Sequence, residues 1–170
     1  FLSTPTLGQT FKQSWMENGI KTSTGYGAQF TGTTSTTGYD GSSVAPSVKF
    51  WDESIGTWRE LANTGSSLYN PRGYFAFIRG DRSVDGRIVT ASNPTTLRSK
   101  GTIFTGNQQF AAPIQTPDNV FYSIGNPYPS AVDMTKVMAT VHTTTAQLPF
   151  YYVWNASKSD DYYNVGSWNT

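Results

Sequence analysis

The sequence predicts an all-β chain, a two-sheet antiparallel β-sandwich of jelly-roll-like form with two short helices. Three observations predict it. Short apolar or alternating runs recur between clusters of turn-forming residues, the spacing of a sandwich or barrel and not of βαβ units. Aromatic residues make up 15% of the 170 residues, whereas charged residues make up only 14%. The polar surface therefore has to come from Thr, Ser, Asn, Gly and Gln, a mixture that suits strands with hydroxyl-bearing faces over an aromatic core.

Each element has its own local reason. The opening Phe1-Leu2-Ser3 has the look of a strand entered midway, so residues 1–170 are expected to form a single sandwich domain that is a fragment of a longer precursor. In "GQTFKQSWMENG", Phe11 and Trp15 are four apart and Gly19 offers a stop, the pattern of a short helix. Tyr26, Ala28 and Phe30 then alternate with smaller residues as a strand would, and "TGTTSTTGYDGSS" follows as a solvated loop. "SVKFWD" and "TWREL" flank "ESIG" as a hairpin whose Gly56 takes the positive φ of the turn.

"GYFAFI" is apolar on both sides and predicts a central strand covered on two faces. "GRIVTA", "TTLRSKGTIFTG" (bent at Gly101), "VFYSIG" and "PFYYVW" bring the expectation to about eight strands. Between the last two lies the corner Gly125, Asn126, Pro127, Tyr128, Pro129, where Gly125 permits an unusual φ and the two prolines each fix a torsion. Ser130 is placed to cap the helix that follows, with Asp133 completing a capping box and Met134, Val137 and Met138 turned inward.

The same inventory argues against several functions. A formal charge of +1 gives no basic track for nucleic acid, and no apolar run reaches the roughly 20 residues of a membrane helix. With one histidine, His142, and no cysteine, neither a Ser-His-Asp arrangement nor a zinc site has its parts, so no enzyme is expected. No cofactor is expected either. Calcium is the metal the residues would suit, with Asp160 and Asp161 in "SDDYYN" as its ligands, although no EF-hand pattern is present.

The charges that do occur are concentrated in "RGDRSVDGR". Beside an apolar strand an isolated charge is costly, whereas an arginine fork on a carboxylate satisfies both groups. Arg79, Asp81, Arg82 and Arg98 are therefore read as an ionic clasp, with Arg79 or Arg98 as the partner of Asp81. Arg79-Gly80-Asp81 is also an adhesive tripeptide, but it leaves directly from the most apolar strand and not from a protruding loop.

Taken in order, "FLSTPTLGQTF", "GYGAQFTG", "PSVKFWDESIGTWREL", "GYFAFIRGDRS", "TTLRSKGTIFTG", "GNPYPSAVD" and "FYYVWNAS" resemble a family of modules from large secreted Bacteroidota proteins that lie ahead of a C-terminal type IX secretion sorting domain. The resemblance implies secretion or display on the cell surface, and a non-catalytic structural or adhesive role, such as a fibre or stalk segment. Its partners would be neighbouring modules or cell-surface components. The alternative reading is a carbohydrate-binding module for polysaccharide, with Trp51, Trp58 and Trp154 as stacking platforms.

Overall fold

The structure is a computed structural model, and it describes residues 1–18, 25–69, 71–84, 92–109, 121–140, 151–155, 157–158 and 167–169. The protein is all-β: among the described residues there are nine short strands and a single α-helix. The chain groups into two compact units, Phe1–Ser130 and Ala131–Thr170.

In the first unit the strands are β1 (Thr6–Leu7), β2 (Thr31–Gly32), β3 (Gly41–Ser42), β4 (Val48–Asp52), β5 (Thr57–Glu60), β6 (Tyr74–Ala76) and β7 (Thr102–Ile103). The largest sheet is antiparallel, in the order β5-β4-β6. Its hairpin closes through Gly56, whose N–H donates to Asp52 O at 2.9 Å and whose φ of +63° is the left-handed value a side chain would resist. β1 pairs antiparallel with β7, and β2 pairs parallel with β3.

Pairing in β4 decides which residues face inward. Side chains alternate along a strand, so Val48 and Phe50 share one face and Lys49 and Trp51 the other. Val48 is buried with Phe11, Trp15, Met16, Ala28, Phe30, Tyr39, Leu61, Leu68 and Tyr74, and Phe50 packs against that cluster. The core rings meet edge to face: Phe11 on Phe30 at 4.8 Å, Phe11 on Trp15 at 5.7 Å and Trp15 on Tyr74 at 5.4 Å between centroids. The two buried phenols are satisfied, since Tyr39 donates to Leu61 O and Tyr74 accepts from the N–H of Tyr69.

Several expectations change here. The "GQTFKQSWMENG" run starts as a helix would, with a reciprocal box between Thr10 and Gln13, but its later bonds close rings of mixed size, and Glu17 and Asn18 both turn left-handed at φ +49°. The result is a knot of turns, not an α-helix, although Phe11 and Trp15 do share its buried face. Among the described residues "GYFAFI" is an edge strand of its sheet and not a central one; beyond β6, Leu2 bridges to Tyr74 and Arg72 to Ile124, and Phe77 is exposed. "TGTTSTTGYDGSS" is not wholly solvated, because β2 and β3 pair through it and draw Tyr39 and Asp40 inside.

The second unit contains α1 (Met134–Thr140) and the antiparallel pair β8 (Val153–Asn155) and β9 (Ser167–Asn169). Asp133 is the cap of α1, its Oδ1 accepting from the N–H groups of Thr135 (3.0 Å) and Lys136 (3.4 Å). Ser130 is not the cap, because an aspartate one residue before the helix reaches its free N–H groups directly. Met134 and Met138 are half-buried, while Val137 is exposed and breaks the expected inward stripe. "GRIVTA" lies outside the described residues.

Candidate functional site

Two features of the first unit carry the chemistry, an ionic brace around the RGDRS corner and an aromatic face on the outside of the β5-β4-β6 sheet. The brace is built where the chain leaves β6. Asp81 is only 2% exposed and forms a bridge with Ala28. Its Oδ2 accepts from Gly25 N at 2.7 Å, and its Oδ1 accepts from Ser83 N at 2.9 Å, from the Ser83 hydroxyl and from Asn93 Nδ2 at 3.4 Å. Asp81 N in turn donates to Asn93 Oδ1 at 3.0 Å. The hydroxyl of Ser83 and the N–H of Gly25, outweighing burial, pull its carboxyl down to about 2.

The arginines take other partners. Arg82 clamps Asp40 through Nε, at 3.0 and 3.2 Å to its two oxygens, and through Nη2 to Oδ1; the side chains are 6% and 1% exposed. Arg98 donates to Glu17 Oε2 at 2.8 Å, and the same oxygen accepts from Gly27 N at 2.7 Å. The expected pairing of Arg79 or Arg98 with Asp81 is thus replaced: backbone and neutral side-chain donors hold Asp81, and Asp40 and Glu17 are the acids that arginines clasp. Arg79 is half-buried, and its carbonyl accepts from Asn93 N at 3.0 Å. Asp40, Glu17, Asn93 and Ser83 were missed in the sequence. "YDG" and "MEN" carry the signal, a lone acid beside a residue that buries, but only the fold sets them opposite an arginine.

Because the folded Asp81 titrates below its ordinary 3.8, its contribution to stability is complete above pH ~4 and is lost as the pH falls toward 2. Asp81→Asn is expected to cost about 2 kcal/mol at pH 7, since the new amide would meet donors with a donor. Urea midpoints measured from pH 7 to pH 2 should show the difference between wild type and variant shrinking across that window. A constant difference would show that the carboxylate charge has no part in the brace.

The proline corner is rigid for a different reason than expected. Gly125 does not adopt a left-handed φ; a Cβ there would instead lie 2.4 Å from Ser3 Cβ and 2.7 Å from Arg72 O, so glycine answers a close approach. Asn126 ties the turn on both sides, accepting from Tyr128 N and donating to Ser130 O. Pro127 is half-buried and Pro129 exposed. Tyr128 rests against Phe104 at 5.6 Å and donates to Gly106 O at 2.8 Å.

On the outer face Trp51 and Trp58 are direct cross-strand partners, 5.4 Å apart and inclined at 72°. Phe1 and Phe75 close around Trp58 at 5.5 and 5.9 Å. Trp51 Nε1 donates to Phe121 O at 2.7 Å. Trp51, Trp58 and Phe75 are half-buried and Phe1 is exposed, and the rings meet edge to face or tilted, a small second cluster and not a flat platform. Trp154 belongs to the second unit, where it is half-buried and pairs across strands with Trp168.

Among the described residues no group of three or more His, Cys, Asp or Glu is placed to hold a metal ion, and no helix is long and apolar enough to cross a membrane. The sequence-based candidates His142, Asp160 and Asp161 lie outside the described residues. Compared with protein-family models, curated proteins and solved structures, the chain matches none of them.

Proposed function

We propose that the chain is a non-catalytic structural or adhesive module of a secreted or cell-surface protein, built as a jelly-roll-like two-sheet sandwich and working as a segment of a fibre or stalk. The observation that carries this reading is the use of the RGDRS charges. Asp81 and Arg82 are turned inward and committed to bonds that hold segments together, the arrangement of a brace and not of a reacting centre. The resemblance to type IX-secreted Bacteroidota modules supports the surface location and points to neighbouring modules or cell-surface components as partners.

A buried Asp81 also speaks against adhesion through the Arg79-Gly80-Asp81 tripeptide, whose carboxylate would have to face a receptor. The adhesive version of the module therefore works through strand edges and faces. Size-exclusion chromatography across a concentration series, with electron microscopy of the precursor, tests it. Concentration-dependent assembly into filaments is the expected result; a strictly monomeric precursor at every concentration overturns the fibre role.

The second reading, a carbohydrate-binding module, is favoured by the exposed rings of Tyr26 and Tyr69. Its check is a glycan array together with tryptophan fluorescence titrated with polysaccharides, and silence in both removes it.

A further inference from the structure

On the inward side of β4, Phe50 faces Arg59 across one strand boundary and Tyr74 across the other. Arg72 lays its guanidinium carbon 4.6 Å from the centre of the Phe50 ring and 5.6 Å from that of Tyr69. The two residues are held together locally, because Arg72 N donates to Tyr69 O at 2.9 Å. Tyr69 is 64% exposed. Asp52 is occupied by Arg59 at 2.9 Å and by Ser54, and among the described residues no carboxylate or carbonyl accepts from the Arg72 guanidinium.

A guanidinium between ring faces keeps its in-plane N–H edge for a ligand, and the rings have already removed much of its rotamer freedom. That edge matches a planar two-oxygen acceptor. The exposed Tyr69 ring beside it offers an apolar face of the size of a pyranose. We propose that Arg72 and Tyr69 bind the carboxylate and ring of a uronic acid unit in an acidic polysaccharide. This inference rests on the carbohydrate-binding reading and adds the ligand class and the residues.

The test is calorimetric titration with oligogalacturonate, its methyl ester and inorganic phosphate, on wild type and on Arg72→Gln, Tyr69→Ala and Trp51→Ala. The acid form should bind, the ester at least about tenfold more weakly, and Arg72→Gln should lose about tenfold or more, as a charge-assisted pair would. Tyr69→Ala changes an exposed side chain and should also weaken binding, which keeps the test valid if Arg72→Gln fails to fold. Affinity should fall with added salt.

Equal affinity for acid and ester, or wild-type affinity in a folded Arg72→Gln, overturns the proposal. Phosphate binding as tight as that of the uronate also overturns it, leaving a bare anion site. Uronate binding that survives both Arg72→Gln and Tyr69→Ala but is lost in Trp51→Ala sinks this site and keeps the carbohydrate reading. Failure to bind any polysaccharide, neutral ones included, ends both.

Discussion

Arg82→Ala is expected to destabilise the protein by about 3–5 kcal/mol, because it leaves the Asp40 carboxylate buried without its counter-charge. Asp40 is held in place by the chain itself, whose N–H at this residue donates to Phe30 O at 2.9 Å, so it is not free to swing into water. Urea unfolding with an unchanged m value would measure the loss. The double variant Arg82→Met with Asp40→Leu provides the control. Burial of a pair is itself costly, so an apolar replacement of similar volume should recover most of the deficit. A single variant that unfolds at the wild-type midpoint would mean that the clamp contributes nothing.

Trp15→Ala is the second large effect, again about 3–5 kcal/mol, since it removes the largest fully buried side chain among the described residues and leaves a cavity between Phe11 and Tyr74. Trp15→Phe should cost markedly less, because a ring is retained against both neighbours. The contrast with the outer face is informative. Trp51→Ala should cost less than Trp15→Ala, since Trp51 is only half-buried and the lost area is smaller. Equal losses at the two positions would mean that the outer cluster is as deeply covered as the core.

The legible parts of this chain were those governed by local pattern. Alternation in "VKFWD" puts Phe50 and Trp51 on opposite faces, and the hairpin at Gly56 follows from its turn chemistry. Phe11 and Trp15 were correctly placed on one buried face even though the segment around them is not a helix. That segment shows the limit: the spacing of Phe11 and Trp15 predicts a helix, but the chain turns left-handed at Glu17 and Asn18, where Glu17 accepts from the distant Gly27 N. The acids of the clasp were illegible for the same reason. Nothing near Asp40 in the sequence indicates Arg82, which lies 42 residues away and meets it in the folded chain. Asp81, by contrast, takes two of its four donors from the backbone, and backbone donors have no one-letter signature.

The reach of those donors bears on how fast the chain folds and comes apart. Asp81 joins Gly25, 56 residues before it, to Asn93, 12 residues after it, so its bonds form only after a long loop has closed. Contacts of that kind tend to be absent from the rate-limiting step of folding. Changes at Asp81 should therefore hasten unfolding while leaving refolding speed almost untouched, making this corner a latch on the lifetime of the native state.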